Sequence, residues 1–250
     1  MKYIVKRRIK SMKIQKLLSY TRQAVNDYNM ISAGDRIAVG VSGGKDSICL
    51  LTALAQMRRF FPLPFEVEAI TVCLGFEGAD YSGIAQYCRE LGVRYTVVET
   101  SIGEIVFERK KEDNPCSLCA KMRKGALNSA AEELGCNKIA LGHNKDDVIE
   151  TFLMSLIYEG RINCFSPVSF LERKKLYSIR PLIYVSEYET ESLVKSLGVA
   201  PVKNPCPADG NTKRQEIKEL IKSLSKTYPT IRENIFGAVS RGLDDWKRGN

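Results

Sequence analysis

No stretch of this 250-residue sequence is long and apolar enough to suggest a membrane span: the best run, Ile48 to Ala55, is interrupted by Thr52 and falls short of the ~18 residues that a span needs. The N-terminus also lacks the apolar core of a secretory signal. Together these absences argue against a membrane partner and predict a cytoplasmic location. In that compartment the eight cysteines read as buried thiols or metal ligands and not as a disulfide framework. Internal repeats and low-complexity linkers are absent too. Acids are missing from the start of the chain, where Lys2, Lys6, Arg7, Arg8, Lys10, Lys13 and Lys16 all precede the first of them, Asp27. The net charge of +9 is therefore unevenly placed. It fits an anionic partner, nucleic acid ahead of a merely solvated amphipathic helix.

What is present begins with Ile37-Ala-Val-Gly-Val-Ser-Gly-Gly-Lys-Asp-Ser47, an apolar run that breaks into a glycine turn and then into a second apolar run. The pattern predicts a strand, a phosphate loop and a helix. Gly43 and Gly44 remove Cβ where backbone N–H groups must approach an anion, and the helix opening near Asp46 aims its positive end at the same spot. Lys45 adds a point charge. The commoner ATP loop, G-x4-G-K-[ST], would need glycine at 39 and serine or threonine at 46, where Val39 and Asp46 stand. This is a different nucleotide loop, with a glycine-rich hairpin as the plainer alternative.

The rest of the chain alternates. Residues 12–31 have helical apolar spacing (Ile14, Leu17, Leu18, Val25, Tyr28, Ile31). Strands are expected at 36–41, 65–74, 94–99, 137–141 and 176–179, with helices at 46–58, 81–91, 115–134, after Asn144 and at 187–197. In the helix after Asn144 the apolar positions are Ile149, Phe152, Leu153, Leu156 and Ile157, and residues 102–114 read as a long loop. Two further helices close the chain around Ile217 and after Pro229. Alternation of this kind predicts an α/β fold with a doubly wound, mostly parallel sheet and ligands at the carboxyl ends of its strands. The expected division is a basic N-terminal helical segment over 1–33, the nucleotide-binding α/β domain over 34–200, and a helical C-terminal segment over 201–250.

Three further strings carry chemistry. Pro115-Cys116-Ser-Leu-Cys119 opens a helix, so that metal ligation, a redox dithiol and plain packing all compete there. Asn204-Pro-Cys206-Pro repeats the Asn-Pro-Cys of 114–116. Cys49, Cys73, Cys88, Cys136 and Cys164 lie in apolar stretches and read as small buried hydrophobes. That leaves Cys116, Cys119 and Cys206 as exposed candidates; His143 or Asp209 could complete a zinc site with them. The last string, Gly142-His-Asn-Lys-Asp-Asp147, offers Asn144 as a helix cap, while Asp146 and Asp147 can serve the helix dipole, a Mg²⁺ ion, or both.

Ser42 to Ser47, Cys116 to Cys119, Ile139-Ala-Leu-Gly-His-Asn-Lys-Asp-Asp147 and Pro205-Cys206, with Arg214-Gln-Glu-Ile-Lys218 and Tyr228-Pro229, together resemble the TtcA-like tRNA thiolation enzymes of the PP-loop ATP pyrophosphatase superfamily. The resemblance implies an ATP-dependent tRNA sulfurtransferase that adenylates a pyrimidine C2 carbonyl, of an anticodon-loop cytidine in first place, and replaces its oxygen by sulfur. It implies that Ser42, Gly43, Gly44, Lys45, Asp46, Ser47, Gly142 and His143 bind ATP, and that Asp46 and Asp147 face Mg²⁺. By the same resemblance Cys116, Cys119 and Cys206 hold a 4Fe-4S cluster, Asp46, Asp146 and Asp147 are catalytic, and Arg123, one turn beyond Cys119, neutralises developing charge. The implied partners are tRNA and a sulfur donor, either a cysteine desulfurase or sulfide; a homodimer stays open. Some relatives read Pro-Cys-x-x-Cys at the third site, where this chain has Asp209, so a fourth thiolate is absent. The terminal zinc-finger cysteines of the thiouridine branch are absent as well, which favours cytidine. A thiouridine-type enzyme, another ligase of the superfamily, a cysteine-persulfide relay without a cluster, and a zinc-containing tRNA-binding protein remain as alternatives.

Overall fold

In the computed structural model, which describes residues 2–76, 78–109, 115–199, 202 and 213–247, with side chains from Lys13 onward other than those of residues 108 and 109, the alternation resolves into one six-stranded sheet. The chain runs through α1 (Lys2–Asp27), β1 (Asp35–Gly40), α2 (Lys45–Met57), β2 (Phe65–Cys73), α3 (Ser82–Leu91) and β3 (Arg94–Glu99). It continues through α4 (Ile102–Glu104), a π-helical turn (Ile105–Arg109), α5 (Pro115–Glu133), β4 (Lys138–Ala140), α6 (Lys145–Glu159), β5 (Val168–Leu171) and β6 (Leu176–Ile179). Helices α7 (Glu187–Leu197), α8 (Lys213–Thr227) and α9 (Ile231–Gly242) follow, and a short 3-10 turn, Asp244–Trp246, ends the described chain.

The strand order is β3-β2-β1-β4-β6-β5. All neighbours are parallel except β5, which runs antiparallel to β6. From β1 the chain builds outward to β3 and then returns to the other side of β1 as β4, so a crevice opens between the carboxyl ends of β1 and β4, where open α/β sheets hold their ligands.

Period-two alternation decides what each face of β1 meets. Ile37 and Val39, both wholly buried, pack with α2, α7 and the C-terminal Trp246 in the larger cluster. Ala38 joins Ile70, Leu127, Ala131 and Ile139 under α5 on the opposite face. Helix α2 is buried at every position from Ser47 to Ala55, which explains why its sequence reads as a continuous apolar run. A third cluster, Ile149, Leu153, Ile217 and Ile221, fastens α8 to α6.

The structure differs from the sequence reading in four places. Helix α1 begins at Lys2 and ends at Asp27, before Tyr28 and Ile31; Asn29 takes a positive φ of 47°, and Met30 and Ile31 are buried from the turn that follows. Residues 102–109, read as loop, form α4 and the π-helical turn, pinned by Ile102 and Val106 against Cys119. Strand β5 was not foreseen. Leu156 and Ile157 are 43% and 49% exposed, because packing on that face of α6 stops at Leu153. No described helix is long and apolar enough to cross a membrane.

Candidate active site

The loop leaving β1 reverses at Gly43, whose φ is +83° and whose absent Cβ would lie 2.6 Å from Cβ of Val202. Only glycine fits both conditions. Gly44 then caps α2 through its backbone, without a side-chain bond to the helix, so the N–H groups of the first turn are left for a ligand. Ser47 Oγ donates to the Gly44 carbonyl at 2.8 Å, and the Gly44 N–H reaches Ser42 Oγ at 3.4 Å. These bonds curl the loop around an anion-sized concavity.

The second loop, after β4, comes against the first. Gly142 is close enough that a Cβ there would meet the Asp46 carbonyl carbon at 3.1 Å and Ser47 N at 3.2 Å. Asn144 caps α6 as expected: its Oδ1 accepts from the N–H groups of Asp146 and Asp147 at 2.8 and 3.1 Å, and Asp147 Oδ2 accepts from the Asn144 N–H at 2.9 Å. The same Asn144 donates through Nδ2 to Asp46 Oδ1 at 3.1 Å. That oxygen also accepts Thr190 Oγ1 from α7 at 2.7 Å. Asp46 is thus fixed from two other elements.

A cleft of about 430 Å³ opens beside these loops. Ser42, Gly44, Asp46, Ser47, Gly142 and His143 line it from the loop side, and Arg123 from α5 faces it. Its apolar wall includes Ile70, Val72, Leu74, Phe76 and Leu127. A polar, glycine-rich rim with one cation over an apolar wall suits a nucleotide, phosphates at the rim and base on the wall. The cleft does not reach Gly43, Lys45, Asp146 or Asp147. Lys45 turns instead to Glu187 Oε1 at 2.8 Å, with Asp46 Oδ2 at 3.3 Å; burial opposes its charge, but these carboxylates prevail and hold its pKa above the ordinary lysine value. Asp146 is paired with Arg232 and accepts the Glu187 N–H at 2.7 Å. Arg214 Nη1 lies 2.9 Å from Asp147 Oδ1 and 3.1 Å from Glu150 Oε2. Burial raises Asp147 and lifts Glu150 to about 7 against the pull of Lys218 and Arg214.

His143 is neutral. Burial first, then Arg180, lowers it to about 3; its ring stacks 4.8 Å from Phe165, and its Nδ1 is buried without a hydrogen-bond partner. Arg180 lies over the Phe165 ring at 5.0 Å, is 7% exposed, and donates to the Ser166 carbonyl.

Cys116 and Cys119 stand one turn apart at the start of α5, Cys116 exposed and Cys119 buried against Ile102 and Val106. The expectation of an exposed thiol at 119 is corrected by that packing. The five remaining described cysteines, Cys49, Cys73, Cys88, Cys136 and Cys164, are all buried as expected. Cys206 and Asp209 fall outside the described residues, as do the side chains of Lys2 to Lys10. Among the described residues no group of three or more Cys, His, Asp and Glu side chains could hold a metal ion. Of the expected donor set the described residues thus hold two thiols, Cys116 and Cys119, on one helix turn. Val202 lines the cleft and donates its N–H to the Gly43 carbonyl at 3.1 Å. Of the N-terminal cations, Lys13 donates to the Ser192 carbonyl and Lys16 pairs with Glu189, both on α7.

Residues 11–224 match the family model described as a PP-loop domain. The curated tRNA-cytidine(32) 2-sulfurtransferase of Pelobacter propionicus is 39% identical over 87% of this chain and 82% of its own length. That of Geobacter sulfurreducens is 35% identical over 92% of this chain and 91% of its own length. Among solved structures, the U34-tRNA thiolase NcsA from Methanococcus maripaludis with its 4Fe-4S cluster superposes with a TM-score of 0.76 at 26% identity, covering 94% of this chain and 80% of that one.

Proposed function

Since this chain belongs to the PP-loop family and, within it, to the tRNA-cytidine(32) 2-sulfurtransferases, we propose that its cleft binds ATP and one base of a tRNA and exchanges the C2 oxygen of that base, a cytidine, for sulfur. The observation that carries the reading is the joining of the two loops at Asp46: Asn144 and Thr190 hold this acid at the head of α2, beside an apolar wall of nucleotide size that also receives Arg123.

The chemistry follows from the poor leaving ability of a carbonyl oxygen. The C2 oxygen attacks the α-phosphorus of ATP, pyrophosphate departs, and the base carries AMP on its former carbonyl oxygen. A sulfide sulfur then adds to C2, and AMP leaves with the oxygen. Ser42, Gly43, Gly44 and Ser47 are the loop that grips the departing pyrophosphate, with Asp46 and Asp147 as the carboxylates toward Mg²⁺. Gly142 lets the second loop close on the first, and neutral His143 offers the cleft an uncharged wall. Arg123 answers the charge that builds on phosphate and base. Asp146 and Asp147 act on α6 through Arg232 and Arg214 as well as through the helix dipole.

Cys116, Cys119 and Cys206 are the ligands proposed for a 4Fe-4S cluster, which when bound would supply an iron without a protein thiolate as a place for inorganic sulfide; a cysteine desulfurase, whose sulfur is a persulfide, would serve as donor together with a thiol reductant. A cytoplasmic enzyme acting on tRNA accords with the +9 charge.

The test is thiolation in vitro. Protein reconstituted anaerobically with iron and sulfide, then given ATP, Mg²⁺, sulfide and an unmodified tRNA with cytidine at position 32, should yield 2-thiocytidine there by nucleoside mass spectrometry, with one pyrophosphate per thiolation. Thiouridine in place of thiocytidine overturns the choice of base, and thiolation without ATP overturns the mechanism.

A further inference from the structure

The ammonium of the phosphate loop is not aimed at the cleft. Gly44 and Asp46 line the cleft and Lys45 between them does not, because its Nζ is drawn to Glu187, the first residue of α7, at 2.8 Å. Glu187 has a second cation: Lys218 of α8 reaches its Oε1 at 2.9 Å and its Oε2 at 3.1 Å. The two ammonium groups thus share one carboxylate oxygen. Lys218 is in turn backed by Glu150, which is 2% exposed, at 3.7 Å. Glu187 is about a quarter exposed, so an unpaired charge on it would be costly.

The geometry points to a counter-ion exchange: an arriving triphosphate draws Lys45 off Glu187, and Lys218 stays behind to neutralise the carboxylate that Lys45 leaves. Lys218 then promotes nucleotide binding without touching the nucleotide, as a positioning residue that acts through Glu187 on Lys45. The arrangement is suited to this role because Lys218 already meets both oxygens of Glu187, whereas Lys45 meets one. Burial would raise the Glu187 carboxyl, but the two lysines outweigh it and hold it below its ordinary value. The inference rests on residues 42–47 being the ATP loop.

A double-mutant cycle on the full-length protein, read as the Kd of a non-hydrolysable ATP analogue by calorimetry, tests it. Lys218→Met leaves Lys45 as the main partner of Glu187, so binding should weaken about tenfold, the scale of a partly buried charged hydrogen bond. Glu187→Gln frees Lys45 and should bind at least as tightly as the native protein. The double variant should recover to within about threefold of Glu187→Gln, a rescue that loss of a simple structural or field effect does not give. Lys218→Gln serves as a second variant if Lys218→Met does not melt cooperatively. Native affinity in Lys218→Met overturns the exchange, as does a double variant as weak as Lys218→Met, since Lys218 would then act on the phosphates directly. Lys45→Met separates the two levels: native affinity there removes the ATP loop itself, while weak binding there beside a failed rescue removes the exchange alone.

Discussion

Thr190 Oγ1 donates to Asp46 Oδ1 at 2.7 Å, a bond from α7 back to the first turn of α2. Thr190 is wholly buried and does not line the cleft. Thr190→Val keeps its shape and removes the donor. We expect thiolation and pyrophosphate release to fall about tenfold with a stability loss of roughly 1 kcal/mol, the scale of one hydrogen bond, whereas Asp46→Ala abolishes activity in a folded protein. Full activity in purified Thr190→Val would show that Asp46 does not need this orientation.

Gly43 is constrained twice, by φ of +83° and by Val202 at 2.6 Å. Gly43→Ala should therefore cost roughly 1–3 kcal/mol of backbone strain and disturb ATP binding together. Gly142, which has no positive φ and a nearest approach of 3.1 Å, should as alanine lose activity with a smaller change in Tm. Equal drops in Tm for the two variants contradict this.

The acid lability of the fold should pass through His143. Its folded pKa of about 3 lies below the ordinary 6.5, so the unfolded chain takes up a proton that the folded one refuses; the stability is whole above pH 6.5 and is lost as pH falls toward 3. Glu150, lifted to about 7, has the opposite slope and gains as pH falls from about 7 toward 4.5, but it is common to native protein and variant. Between pH 7.5 and 5, His143→Asn should lose less stability than the native protein, by on the order of 1 kcal/mol. Urea midpoints at both values give the answer, and parallel losses would place a charged histidine in the fold.

Cys116→Ala, Cys119→Ala and Cys206→Ala should each yield protein that retains no iron after anaerobic reconstitution. Single changes at the buried Cys49, Cys73, Cys88, Cys136 and Cys164 should keep iron and cost roughly 1 kcal/mol of packing. Stoichiometric zinc with full activity would reject the cluster, and activity surviving Cys206→Ala would favour a two-cysteine persulfide relay.

Binding of tRNA should weaken steeply with salt. Deleting residues 2–10 should flatten that dependence, since Lys13 and Lys16 are already engaged by α7. An unchanged slope on filter binding would make the basic N-terminus a solvated face.

Local signals account for what the sequence revealed. Gly43 and Gly44 after Ile37–Val41 announce the loop because strand, turn and helix each leave their mark within a few residues. Asn144 announces its cap by the acid three residues on. Strand β5 escaped because Val168–Leu171 is a half-exposed edge and has no alternation to read. The π-helical turn at 105–109 and its hold on Cys119 escaped because no residue spacing specifies it. The arginines on Asp146 and Asp147, and the sharing of Glu187 by Lys45 and Lys218, join residues far apart in the chain, and periodicity is silent on such pairs.

The crevice between β1 and β4 has a last consequence, for folding. Ile37 pairs with Lys138 and Val39 with Ala140, so the two strands that frame it close a loop on the order of 100 residues, a slow and entropically costly step. Neither half of the chain owns the binding site. A nucleotide bound there should therefore slow global unfolding rather than local fraying, and hydrogen exchange in β1 and β4 should report its occupancy.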